Sequence, residues 1–366
     1  MPNQSQFTDV LIIGGGPSGA STALSILHYS NIEVTLIEHS DFSTTRVGEQ
    51  VSSSIFDLLS YLKLNKTDFK KGTFSPSHAS KSYWGSNSVS TINSIFSADE
   101  PTLQMNRENF DFRLIEAASN QGAIIYPKTK CLAITQLNNK SWDVLLIHPN
   151  FGKFTINAKY LVDASGRSGS INKKVGAACN KLDSLMGVGM FVNLPSTTFD
   201  QTIESVENGW WYTACLPNKK AVLTLFTDSD IISDLKIHQN DNWTKQLTQT
   251  EHIKSLFHLK QPINSKIWVR NAQTHISDSR NIDRYIAVGD AAASFDPISS
   301  MGLGFSISSA IYASKHIINN LLLNEETKDL YQTDLENIYS DYLKIKSKYY
   351  AMETRWSSSK FWNRRN

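Results

Sequence analysis

Apolar and polar positions along this chain change rhythm repeatedly between strand and helix. Val10-Leu11-Ile12-Ile13 is an uninterrupted apolar run of strand length, and Glu33-Val34-Thr35-Leu36-Ile37 is a second strand-length segment. Both read as buried strands, and the stretch between them has helical spacing. A polar segment at 40–50 precedes another helical stripe carrying Ile55, Leu58, Leu59 and Leu62. Residues 72–101 are rich in serine and asparagine, with short β-like pieces such as Ser82-Tyr83-Trp84. Helical periodicity returns at 107–120, where Phe110, Leu114, Ala117 and Ala118 share a stripe, and Gly122 supplies a stop. Strands are predicted at 123–126, 129–136, 141–147, 152–156 and 159–163. A β-rich antiparallel block at 186–228 is centred on Trp210-Trp211-Tyr212. A helix near 241–257, strands near 266–273 and 284–288, and a long helix from Gly302 follow. Residues 326–366 read as helical, ending in an aromatic and basic run with Trp356, Phe361, Trp362, Arg364 and Arg365. There is no internal repeat. Segments of α/β type thus bracket β-rich ones, the pattern of a discontinuous α/β unit with a second sheet inserted.

The first strand-to-helix turn carries chemistry. Gly14-Gly15-Gly16-Pro17-Ser18-Gly19 is a G-x-G-x-x-G run between strand and helix, and the second strand ends at Glu38. Gly14 permits the tight turn, Gly16 lets backbone approach a pyrophosphate, and Gly19 lets helix pack on strand. The helix start offers unpaired N–H groups to phosphates. Glu38 can accept hydrogen bonds from a ribose diol, and its charge disfavours a 2′-phosphate. A glycine-rich turn is often only a turn, but strand, helix and terminal acid agree here on a dinucleotide, NAD or FAD.

Composition narrows the class little further. A length of 366 residues accommodates one large core or two fused ones, and a net charge of +2 gives no reason to invoke nucleic acid. Cys131, Cys179 and Cys215 are few, odd in number and far apart. No disulfide framework or zinc spacing is visible, so no metal is expected, and the usage suits a reducing compartment. No run approaches the ~20 apolar residues that span a bilayer. A cytoplasmic protein is expected.

Asp290 separates the two dinucleotides. A strand ending in Gly289-Asp290-Ala291-Ala292, then Asp296-Pro297 and Gly302-Leu303-Gly304 before a helix, is a second cofactor-contacting constellation far from the first. An acid at a strand end can hold ribityl hydroxyls or sit beside the pyrophosphate. A glycine-rich helix start can direct N–H groups at a flavin carbonyl, where reduction places negative charge. NAD enzymes have no need of such an element.

On GGGPSG, Arg107 within QMNRENFD, DASGR at 163–167 and GDAAASFDPISSMGLG at 289–304, the chain resembles the FAD-dependent monooxygenases of the p-hydroxybenzoate hydroxylase class over nearly its whole length. RVGEQVSSS at 46–54, GWWYTACLP at 209–217 and ETRWSSSKFWNRR at 353–365 look like the branch that contains tryptophan halogenases and LodB/GoxB-type flavoproteins. The latter help mature the cysteine tryptophylquinone cofactor of partner amino-acid oxidases. The resemblance implies an α/β fold: a Rossmann-like, glutathione-reductase-type FAD-binding domain with an inserted antiparallel β-sheet substrate domain and C-terminal helices. The expected division is 1–75, 102–175 and 270–325 for the FAD domain, 76–101 and 176–269 for the substrate domain, and 326–366 for a helical segment. It further implies that Gly14, Gly16, Ser18, Gly19, Glu38, Arg46, Gln104, Arg107, Asp290, Pro297, Gly302 and Gly304 line the FAD site. Arg46 and Arg107 are expected on the pyrophosphate, the alternative being solvated arginines, and Asp163 is expected to hold a loop.

Several chemistries are open within that class. Halogenases of this branch carry a lysine and a W-x-W-x-I-P signature; a signature ending at Pro217 would need tryptophan where Tyr212 and Ala214 stand. Lys81 lies in roughly the right region for the lysine, its alternative being an exposed residue at a strand edge. Monooxygenation asks less of side chains: a dry pocket, orientation and a proton donor, with molecular oxygen as co-substrate. Glu49 is the candidate carboxylate near the flavin, its alternative a loop surface acid. Asp296 and Ser299 either flank the flavin or cap the helix. Trp84, Trp210 and Trp211 either line the substrate face or fill the core. Gly187-Val188-Gly189 lacks a following helix, so electrons are expected from transiently bound NAD(P)H or a separate reductase. The leading expectation is hydroxylation of a tryptophan side chain in a partner oxidase precursor. The alternatives are a small-molecule halogenase or hydroxylase and a non-catalytic flavin-bearing maturation chaperone. The aromatic and basic tail either meets a partner or packs on its own domain.

Overall fold

A computed structural model describes residues 6–43, 46–48, 50–77, 79–93, 102–194, 200–217, 219–257 and 266–365. Its first half-structure grows from the apolar runs. Gln6–Ile13 lies between Val34–Ile37 on one side and Gly152–Asp163 on the other, all parallel. Ile124–Tyr126 extends the sheet beyond Val34–Ile37, and Tyr285–Ala287 adds in parallel to the Asp163 end. Trp142–His148 and Lys130–Gln136 continue it antiparallel, giving seven strands. The predicted pieces 152–156 and 159–163 form one strand of 12 residues. The helices Pro17–Tyr29, Arg107–Asn120 and Gly302–Ile318 pack one face of this sheet. Val10, Ile12, Leu24, Ile26, Leu36, Phe110, Leu114, Ile307 and Ile317 join in that core.

The second sheet also has seven strands. In order they are Trp268–Asn271, Leu185–Asn193, Lys220–Asp228, Gly209–Leu216, Gln201–Val206, Ala79–Tyr83 and Ser90–Asn93. Every pairing is antiparallel except that of Gln201–Val206 with Ala79–Tyr83. Strict alternation divides its faces. Val188, Met190, Trp211, Leu223 and Leu225 point into a core shared with Trp243, Leu247 and Ile253. The predicted 241–257 helix is in fact two, Asn240–Thr248 and Ile253–Leu256. Buried Glu204 accepts the backbone N–H groups of Glu251, His252 and Ile253, which anchors the second helix start to the sheet.

The helix Lys328–Ala351 spans both halves, and the chain then proceeds in turns rather than helix. Phe361 and Trp362 are fully buried. The Trp362 ring meets Trp84 edge-on, centroids 5.3 Å apart, and its Nε1 donates to Val206 O. Arg365 closes on Asp228 at 2.6 Å. Phe361 and Trp362 are therefore core of the second sheet, with Trp356 half-buried against them; the guanidinium groups beside them bind a buried carboxylate.

Among the described residues no helix is long and apolar enough to cross a membrane, and no group of His, Cys, Asp and Glu is arranged to hold a metal ion.

Candidate active site

A cleft of about 450 Å³ lies between the two halves. One wall is built from turns and helix starts. Gly14 has φ +120, and a Cβ there would stand 2.2 Å from Ala164 O. One at Gly19 would stand 1.9 Å from Gly14 O. Backbone thus passes backbone where only glycine fits. The Pro17–Tyr29 helix begins after Gly16 with Pro17 in its first turn and no side-chain cap, leaving its early N–H groups available. The Gly302–Ile318 helix is likewise uncapped. Gly16, Ser18, Arg107, Asp290, Pro297 and Gly302 all line the cleft.

Charged groups on this wall are held by partners. Arg107 donates through Nε and Nη2 to Asp111 at 2.9 Å each, and through Nη1 to Val47 O at 2.6 Å. Arg46 reaches the same Asp111 at 3.1 Å and sits beside Gly16. Arg167 Nε donates to Asp290 Oδ2 at 3.2 Å and Nη2 to Phe295 O. Asp290 Oδ1 is buried with no protein donor. Asp163, fully buried, accepts the N–H groups of Ser165 and Asn172 and so holds the DASGR turn. Burial raises its pKa against those hydrogen bonds. Glu38 accepts from Gly15 N–H at 2.7 Å and Ser40 N–H at 2.9 Å. Burial pushes its carboxyl up, but the bonds from Ser40 and Gly15 outweigh it and hold the group below its usual range.

The opposite wall is the open face of the second sheet. Gly187, Trp210, Tyr212, Val222, Thr224, Phe226, Trp268 and Arg270 all have the cleft-facing parity of their strands. The walls are joined by hydrogen bonds. Asp296, wholly buried, accepts Ile298 N–H and the Tyr350 hydroxyl at 2.7 Å, and Trp210 Nε1 donates to that hydroxyl at 3.0 Å. Burial holds the Tyr350 hydroxyl well above its ordinary pKa, so it stays protonated.

Not every expected residue reaches the cleft. Gly14 and Gly19 shape the wall from behind, and Glu38 and Arg46 lie beyond its end. Gln104 is buried and donates to Gln201 Oε1, and Gly304 does not line the cavity. Lys81 stands outside, paired with Asp200 at 2.9 Å; Trp84 and Trp211 are core. Ser299 bonds back to Asp296 O, while Asp296 both lines the cleft and caps a turn. Glu49 lies outside the described residues. Sequence reasoning missed Asp111, Arg270 and Tyr350, and quoted Arg167 only within the DASGR motif. The i,i+4 spacing of Arg107 and Asp111 was the one signal available for any of them.

These residues fit a flavin dinucleotide. Two uncapped helix starts, a glycine cradle, an arginine and a carboxylate oxygen without a donor meet in one cleft. The fold and the cleft define a FAD-binding oxidoreductase. The chain belongs to the FAD binding domain family, whose model matches residues 7–336. It is 40% identical over 98% of its length, and 96% of the relative's, to a Marinomonas mediterranea protein named as a FAD-dependent oxidoreductase, LodB. Among solved structures, the flavin-dependent halogenase CmlS superposes with a TM-score of 0.84 at 21% identity, covering 100% of this chain and 68% of that one. QhpG, a peptidyl tryptophan dihydroxylase essential for tryptophylquinone cofactor biogenesis, superposes with a TM-score of 0.80 at 20% identity, covering 98% and 78%.

Proposed function

We propose that this flavoprotein is a monooxygenase that hydroxylates a tryptophan side chain in the precursor of a partner amino-acid oxidase, during biogenesis of a tryptophylquinone cofactor. The observation that carries the reading is the cleft itself, a nucleotide cradle facing a sheet wall of Trp210, Tyr212, Phe226 and Trp268. Similarity to LodB and the shared fold of QhpG support it.

Bound FAD would supply the two-electron and oxygen chemistry, with Gly16, Ser18, Arg107, Asp290, Pro297 and Gly302 holding it. The uncapped helix starts favour negative charge on the dinucleotide. Arg167 fixes Asp290 so that its free Oδ1 accepts from a hydroxyl. The aromatic wall excludes water and orients a flat ring. Asp296 and Tyr350 lock Trp210, keeping that wall at a set height above the cradle. Electrons come from transiently bound NAD(P)H or a separate reductase, and molecular oxygen is the co-substrate: Gly187-Val188-Gly189 lies within an antiparallel strand, not at a nucleotide-binding turn. Three free cysteines suit a reducing compartment, and we place the reaction in the cytoplasm. Halogenation of a small aromatic is disfavoured by the position of Lys81, whose ammonium is tied to Asp200 outside the cleft.

Mass spectrometry of the oxidase precursor, co-expressed with wild type or with Asp290→Ala, tests the proposal. Gain of oxygen on one tryptophan, lost with the FAD-deficient variant, is the expected result. An unmodified precursor beside FAD-loaded, reducible protein would sink it.

A further inference from the structure

The cleft-facing side of the second sheet is written in two adjacent cross-strand rows. One row runs Arg270, Gly187, Phe226, Trp210, and the next runs Trp268, Gly189, Thr224, Tyr212. Each row has a glycine on the Leu185–Asn193 strand, between Arg270 and Phe226 in the first and between Trp268 and Thr224 in the second. The two glycines are used differently. A Cβ at Gly189 would stand 2.5 Å from Trp268 Cζ2, so the indole of Trp268 fills that gap. At Gly187 the nearest side chain is the edge of Phe226, 3.0 Å from such a Cβ, and the gap opens into the cleft. It is a shallow notch, floored by backbone and bordered by Phe226 and Thr224.

Arg270 stands at the end of that notch. Two other cations line the cleft, and each is committed: Arg107 to Asp111 and Arg167 to Asp290. The lining carboxylates are committed too, Asp290 to Arg167 and Asp296 to Tyr350. Arg270 is exposed at the rim and, among the described residues, pairs with no carboxylate. A guanidinium beside an aromatic slot reads a planar anion well, since its fork matches a carboxylate bidentately.

We propose that Gly187 and Arg270 form a specificity subsite for a flat aromatic group bearing a carboxylate a few ångströms from the ring. This deepens the function proposed above and rests on it for the source of that carboxylate: an acidic side chain next to the target tryptophan. A free aromatic acid has the same chemistry.

Probe binding to the FAD-loaded protein tests the subsite, read as the change in flavin absorbance. The small-molecule pair is indole-3-propionate and 3-methylindole. The peptide pair is a blocked tetrapeptide with tryptophan followed by aspartate, or by asparagine. The acidic member should bind about tenfold tighter in whichever pair binds. Arg270→Gln should remove that preference and Arg270→Lys restore part of it, while FAD content stays at wild type. Gly187→Leu should fill the notch and weaken both members of the pair. Equal affinity for charged and uncharged probes, or an unchanged ratio in Arg270→Gln, would overturn the proposal. So would loss of FAD from Arg270→Gln, which would assign the guanidinium to the cofactor. A preference shown by indole-3-propionate alone supports the subsite while removing the protein substrate, so the two readings fail separately.

Discussion

The two walls of the cleft are made by opposite means. The cradle is backbone: glycines where chains touch, helix starts without caps, and carboxylates that accept N–H groups. The sheet wall is side chain: alternate residues of four strands, held flat by a core on the far face. Backbone construction tolerates almost no substitution at a few positions. Side-chain construction tolerates exchange but depends on a distant packing partner. One wall is thus suited to a constant ligand and the other to a ligand that differs among relatives.

Substitutions can break that contrast, beginning with the largest effect. Gly19→Val places carbon against Gly14 O, where only backbone can give way. It should cost at least the ~1–3 kcal/mol of ordinary overpacking and yield protein without flavin; wild-type flavin absorbance per chain would refute the close crossing. Trp362→Ala empties a fully buried site against Trp84 and Tyr350, which brace Trp210 at the edge of the sheet wall. A loss of about 3–5 kcal/mol is expected, seen as a lower Tm, with aromatic probe binding weakened more than FAD retention. Equal damage to both ligands would mean that the walls are not separately supported. Asp290→Ala removes the acceptor with the free oxygen. A charged hydrogen bond of about 1.5–3 kcal/mol translates into roughly 10–150-fold weaker FAD, measured by equilibrium titration of the apoprotein.

The smallest effect is pH. Burial lowers the pKa of His275, next to the Asp290 loop, and of His316 on the Gly302–Ile318 helix. Their neutral forms are favoured in the folded state, so the contribution is complete above the unfolded value of about 6.5 and declines as pH falls through it towards the folded values. Glu38 and Glu353 follow at lower pH, since bonds from Ser40 and Gly15, and from Arg355 and Ser205, hold them below the usual carboxylate range against burial. Hydrogen exchange at pH 7.5, 6 and 5 should therefore show the cradle half loosening before the sheet half. Simultaneous loosening would place the titration elsewhere.

The cradle was legible because its parts are contiguous. GGGPSG and GDAAASFDP each bring a turn and its chemistry within a few residues, and the structure sets both on one wall. The sheet wall was legible only as alternation. Its cleft rows join Arg270 to Gly187, Phe226 and Trp210, and no local pattern announces a register across four strands. Tyr350 was invisible for the same reason, its partners being Asp296 and Trp210. In the tail, aromatics beside arginines fitted a surface anchor as well as a core. The deciding fact was Asp228, a buried carboxylate that needs cations from elsewhere. Lys81 had no comparable local test; its pairing with Asp200 is set by the parallel strand beside it.

The passage of the chain from the Lys328–Ala351 helix into the second sheet has a consequence for the order of assembly. A nascent chain that has reached Asn271 contains every strand of that sheet, yet its cleft-facing side lacks Tyr350, the partner of Trp210, and the Phe361 and Trp362 that pack beside it. The cradle's core is completed earlier along the chain, by Tyr331, Leu335, Tyr339 and Tyr342 of the Lys328–Ala351 helix. Vectorial synthesis therefore completes the cradle core before Tyr350 and Trp362 can brace the side of the sheet that faces it. A chain ending just after Tyr342 would hold the full cradle core while Trp210 still lacked Tyr350.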